Sequence, residues 1–79
     1  MNKLRLKIAT PSYVVYFYYP ENKEDSGEIR MEIGENEAIE VSRSNEDTSV
    51  GYYAFMAKKA VKDCVTKRNF PLEFTQAWH

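Results

Sequence analysis

Residues 3–9 alternate strictly, with Lys3, Arg5 and Lys7 on one side and Leu4, Leu6 and Ile8 on the other. A period of two over this length predicts a half-buried strand. Thr10-Pro11-Ser12 follows as turn chemistry, because proline is pre-set for the first central position of a tight turn. Tyr13 to Tyr19 is β-branched and aromatic throughout and predicts a second strand. If Pro11 and Ser12 form the loop, Ile8 faces Val15, Leu6 faces Phe17 and Leu4 faces Tyr19. All three pairs then share one face, so turn length and hydrophobic pattern agree on the register.

Pro20 to Gly27 is polar and acidic and reads as a loop. From Glu28 to Gly34 alternation returns, Ile29, Met31 and Ile33 opposing Glu28, Arg30 and Glu32. A turn at Glu35-Asn36-Glu37 would pair Ile33 with Ile39 and Met31 with Val41, giving a fourth strand over residues 38–43. Four strands joined by short turns make an antiparallel meander.

The period then changes. Residues 44–49 are rich in N-cap residues and acids, the start signal of a helix. Val50, Tyr53, Ala54, Ala57, Val61, Cys64 and Val65 recur at helical spacing and predict one long helix over 49–68, its stripe against the sheet. Lys67 and Arg68 suit the last turn, Asn69 can take a left-handed cap, and Pro71 follows. Residues 72–78 fit either a short second helix opening at Pro71 or an extended tail. The expected fold is α+β: a four-stranded antiparallel meander (ββββα), one long helix packed on one face, and a short C-terminal helix or tail. Residues 1–79 read as one domain, with no repeat or linker.

Composition sharpens this picture. A chain of 79 residues has a thin stability margin, and its only cysteine forbids an intrachain disulfide. Stability must then come from packing, for which six Tyr, four Phe and one Trp supply large rings. An unpaired cysteine suits a reducing compartment. No apolar run approaches the length of a membrane span, and Lys3, Arg5 and Lys7 lead into no aliphatic signal-peptide core. A cytoplasmic protein without a membrane partner is expected.

The net charge is −1, yet it is segregated. Residues 1–19 carry Lys3, Arg5 and Lys7 and no acid, and residues 20–48 carry ten acids against Lys23, Arg30 and Arg43. Residues 49–79 are basic again, with five bases against Asp63 and Glu73.

Candidate chemistry is sparse. On the sheet face away from the helix, the expected register displays Lys3, Arg5 and Lys7 beside Val14, Tyr16 and Tyr18. Beyond these come Glu28, Arg30 and Glu32, then Ala38, Glu40 and Ser42. Lys3, Arg5, Lys7, Tyr16 and Tyr18 would suit single-stranded nucleic acid, with bases stacked on rings and phosphates met by cations. The acidic neighbouring strand and the near-neutral total weigh against it, so nucleic acid is the alternative partner. The same register sets Glu32 opposite Glu40, a carboxylate pair on an open face rather than in a water-excluding site.

Asn22 to Ile33 has the central glycine of a calcium loop, but Ile33 stands where a bidentate glutamate is required. Cys64 lies on the apolar stripe and reads as an inert buried thiol. His79, the only histidine, is terminal and leaves nucleophile systems without a base. No enzymatic activity, cofactor or metal is therefore expected.

One feature of the helix stands out. Tyr52, Phe55 and Met56 fall off the core stripe, with Lys59 and Lys62 close by. The cover could be the C-terminal segment, through Phe70, Leu72, Phe74 and Trp78, or another protein. Tyr52, Phe55, Met56 and Trp78 are thus the expected protein-interaction residues, for a protein partner or a homodimer. Edge pairing of an outer strand is a second route to the same end. The sequence accordingly predicts a non-enzymatic domain acting through protein contacts.

Overall fold

The computed structural model describes residues 1–48 and 50–78. The expected helix start at Ser49 and the reading of His79 lie outside the described residues. Among the described residues five strands form one sheet: β1 (Asn2–Ala9), β2 (Tyr13–Pro20), β3 (Gly27–Glu32), β4 (Ile39–Ser42) and β5 (Glu73–Gln76). Their order is β4-β3-β2-β1-β5, every neighbour antiparallel. The helix α1 (Tyr52–Lys67) lies on one face. The α+β reading holds, with one strand more than expected.

That strand resolves the expectation for the C-terminus. Of the two alternatives the segment is the extended one, not a helix: residues 73–76 form an edge strand on β1, pairing Leu4 with Phe74 and Arg5 with Glu73. The Leu6 amide extends the ladder by donating to the Leu72 carbonyl at 2.8 Å. Local sequence could not disclose this pairing, because its partner lies some seventy residues away.

The first hairpin carries the main correction. Ile8 faces Val15 as expected, and the turn closes through Thr10, whose amide donates to the Tyr13 carbonyl. The register then shifts between Leu6 and Ile8, leaving Lys7 as the extra residue of a bulge. Beyond it Leu6 faces Tyr16 and Leu4 faces Tyr18, not Phe17 and Tyr19. A slip of one residue exchanges the faces of a strand. Val14, Tyr16 and Tyr18 are therefore buried under α1, while Phe17 and Tyr19 turn to the outer face.

Burying two tyrosines requires partners for their hydroxyls. Tyr16 donates to the Pro71 carbonyl at 2.7 Å. Tyr18 donates to Asp47 Oδ2 and accepts from the Ser44 amide, both at 3.1 Å. The core assembles around these rings from Leu4, Val14, Ile29 and Met31 of the sheet and Ala54, Ala57, Val61 and Cys64 of the helix. Two alanines on the buried helix face leave room for the large rings opposite.

The second hairpin is also re-registered. Arg30 faces Ile39 and Ile29 faces Glu40, in place of the expected Ile33–Ile39 and Met31–Val41 pairs. The odd shift turns Ile39 and Val41 outward, where they are 58% and 54% exposed. Glu32 and Glu40 consequently do not oppose each other. Glu32 pairs with Arg30 at 2.8 Å and Glu40 with Arg43 at 3.0 Å.

The described helix spans Tyr52–Lys67, shorter than expected, and Val50 is fully outside its buried stripe. The N-terminal amides are met from a distance. Asp47, itself buried, accepts from the Tyr53 amide at 3.2 Å and the Ala54 amide at 2.9 Å. At the other end Arg68, not Asn69, adopts the left-handed conformation, and the Asn69 amide donates to the Cys64 carbonyl.

Candidate interaction surface

Tyr52, Phe55 and Met56 lie along the flank of α1 and Trp78 follows β5, so the pairing of β5 with β1 decides how they meet. Two polar residues fix that approach. Asn2 donates to the Tyr53 carbonyl and to Gln76 Oε1, and Gln76 Nε2 donates to the Met56 carbonyl at 2.7 Å. The chain beyond Gln76 then lays the Trp78 ring against Tyr52 and Tyr53, at centroid separations of 5.8 and 5.6 Å. Tyr52 reaches onward to Phe55 at 6.5 Å.

The C-terminal segment covers this flank only in part. Phe74 goes to the core, edge-on to Tyr16, and Phe70 packs beside it, while Leu72 stays exposed. Tyr52 remains 44% and Phe55 49% exposed. Besides Tyr52, a cation lies over Phe55: Lys59 Nζ is 4.6 Å from the ring centroid.

Next to Phe55 the helix and the β3–β4 turn enclose an open recess of about 230 Å³, lined by Glu37, Ala38, Phe55, Lys58, Lys59 and Lys62. Across the same turn lies a second recess of about 520 Å³, lined by Arg30, Glu32, Glu35, Asn36, Glu37 and Ile39. Glu37 borders both.

Charges without an ion-pair partner among the described residues are grouped here, although Lys3, Glu24 and Arg68 elsewhere also lack one. Seven ion pairs occur among the described residues, and none involves Lys58, Lys59, Lys62, Glu35 or Glu37. Among the described residues, three cations without an ion-pair partner thus stand on one side of a turn and two such acids on it.

The outer sheet face is the contrasting case. Lys3, Arg5 and Lys7 are there as expected, but Tyr16 and Tyr18 are not: both are 0% exposed and belong to the core. Their place is taken by Phe17 and Tyr19. Lys3 and Arg5 sit over the Tyr19 ring, Lys7 over Phe17 and Arg30 over Tyr13, at 5.2, 5.8, 5.4 and 3.8 Å. Three of these four cations are also ion-paired, Arg5 with Glu73, Lys7 with Glu28 and Arg30 with Glu32. The rings are covered and most of the charge is answered within the chain.

Burial favours the neutral forms of Tyr16, Tyr18 and Cys64. Burial pushes the Tyr18 hydroxyl up to about 12 and raises Tyr16 further. Burial likewise raises the Cys64 thiol. At the surface, hydrogen bonds from the N-terminal ammonium and then from Tyr53 hold the Glu21 carboxyl below its ordinary range. No group of three or more metal-ligating side chains occurs among the described residues. No described helix is long and apolar enough to cross a membrane.

Reading the sequence singled out Tyr52, Phe55, Met56 and Trp78 but missed Lys58, Glu35, Glu37 and the outward-facing Ile39. One local signal was present. Lys58 and Lys62 have no acid three or four positions away on the helix, so neither could be answered along its own element. No protein-family model matches this chain, and comparison with curated proteins and with solved structures finds no match either.

Proposed function

We propose that this chain is a small non-enzymatic domain that acts through protein contacts, with the flank of α1 around Phe55 as its docking surface. The observation that carries this reading is the half-exposed Phe55 ring beside three lysines that have no acidic partner among the described residues. An aromatic anchor rimmed by unanswered charge is the composition of a binding patch: the ring supplies apolar burial and the rim supplies orientation. The single, buried, unpaired Cys64 supports a cytoplasmic setting.

The test is lysine footprinting in intact cells with a small acylating reagent, read against the purified protein. Lys58, Lys59 and Lys62 should be protected in the cell, while Lys23 on the opposite loop reacts equally in both. Equal reactivity of all four overturns the reading. Protection that vanishes when nucleic acid is digested overturns it too.

A second reading has its own observation. The outer face keeps Lys3, Arg5 and Lys7 beside Phe17 and Tyr19, rings and cations in the mixture that suits single-stranded nucleic acid. Their mutual stacking and ion pairing make it the weaker proposal. Fluorescence polarisation with labelled oligonucleotides at low and high salt decides it: absence of binding at low salt removes it, because the phosphate contribution is largest there.

A further inference from the structure

The unpaired charges of this surface are arranged in a way that a second copy of the chain would satisfy. On one side of the turn between β3 and β4, Lys58, Lys59 and Lys62 surround Phe55, and Glu35 and Glu37 stand on the turn itself, lining with Ile39 the recess on its other side. Within one chain no lysine of the first group comes within ion-pair distance of an acid of the second, although Glu37 borders both recesses. Cations and anions left unanswered side by side on one surface are complementary to the same surface rotated by half a turn.

We infer that the partner of the α1 flank is a second copy of this chain, joined by a two-fold interface centred on the β3–β4 turn. This rests on the docking reading above and identifies its occupant. A two-fold interface is isologous: if residue i of one protomer meets residue j of its partner, then j also meets i. With the axis at the turn, the lysines of each protomer face Glu35 and Glu37 of the other, two equivalent charge clusters from one complementary pair. Phe55 and Ile39, 49% and 58% exposed, are drawn under the same cover. An acidic partner of another kind would answer the lysines and leave Glu35 and Glu37 unanswered. The second copy answers both groups at once.

An interface oriented by surface charges depends on salt and is disrupted by like-charge juxtaposition. The experiment is sedimentation velocity on the full chain over a wide concentration range, at low and at high salt. The wild type should show a monomer–dimer equilibrium at low salt that weakens at least about tenfold at high salt. Two variants, Lys58→Glu with Lys62→Glu, and Glu35→Lys with Glu37→Lys, should each be monomeric, because each sets like charges against each other. Mixed in equal amounts they should form a heterodimer, since the acidic flank of one then meets the basic turn of the other. Circular dichroism establishes that both variants are folded, and the salt dependence of the wild type gives a measurement that needs no variant.

A wild type that stays monomeric at the highest concentration and lowest salt overturns the inference. So does a dimer that survives in either variant, or a mixture that fails to associate. The docking reading fails separately. Lysines protected in the cell on a chain that is monomeric in isolation would sink the second copy and leave a different protein on the same surface.

Discussion

Gly27 lies opposite Tyr18 across β2 and β3, and the space where its side chain would stand is filled by the Tyr18 ring. A Cβ at Gly27 would come within 2.3 Å of Tyr18 Cε1 and 2.6 Å of the Ser42 carbonyl oxygen. The ring cannot yield, because its hydroxyl is held by Ser44 and Asp47. Gly27→Ala should therefore cost about 3 kcal/mol. Gly34→Ala is the control: its Cβ meets nothing within 4 Å, so only the positive φ is strained. That variant should lose about 1–2 kcal/mol, and urea melts of the pair measure the difference.

Asp47 joins the loop after β4 to both the core and the helix. Its carboxylate accepts from the Tyr18 hydroxyl and from the Tyr53 and Ala54 amides. Asp47→Ala leaves three donors without a partner, two of them buried, and should cost about 2–3 kcal/mol, lowering Tm by about 10–20 °C. Tyr18→Phe should cost about 1–3 kcal/mol through the unpaired Ser44 amide. The double variant should lose less than the sum, and a thermal double-mutant cycle reads the coupling.

Alkaline stability follows from the same hydroxyl. The folded Tyr18 titrates at about 12, above its ordinary value of 10.0, so the fold favours the neutral phenol. This contribution is complete below pH 10.0 and is lost as the pH rises towards about 12. Tyrosinate absorbance and far-ultraviolet circular dichroism should accordingly change together over that range for the buried pair. Buried rings that ionise with the structure intact would contradict the expectation.

Val50 is a β-branched residue with φ of 49°, and its side chain is 97% exposed. It bears the strain of the left-handed region and gains no burial in return. Val50→Asn should stabilise the protein by about 1 kcal/mol, since asparagine tolerates this conformation. Chemical denaturation is sufficient to see it.

Trp78 is the only tryptophan and lies against Tyr52 and Tyr53. Removing Tyr52 uncovers its ring. Tyr52→Ala should shift Trp78 emission to longer wavelength while costing only about 1 kcal/mol, because the pair sits at the surface. An unchanged spectrum would mean that the contact does not persist in solution.

The sequence by itself determined the elements. Alternation placed β1 and β3, β-branched and aromatic residues placed β2, the Pro11-Ser12 turn placed the first hairpin, and the helical stripe of Ala54, Ala57, Val61 and Cys64 gave α1 its buried face. It also marked Tyr52, Phe55, Met56 and Trp78 as residues in need of cover. Which face of β2 turns inward was a decision of the tertiary structure. Tyr13 to Tyr19 is apolar on both sides, so no alternation pins its register, and the bulge at Lys7 moves it by one residue. The inward choice of Tyr16 and Tyr18 rests on acceptors and donors that only folding supplies: the Pro71 carbonyl, the Asp47 carboxylate and the Ser44 amide. The outward turn of Ile39 and Val41 and the docking of β5 on β1 have the same origin. Local pattern fixes the element, but its register and neighbours are chosen by the distant groups that satisfy its buried polar atoms.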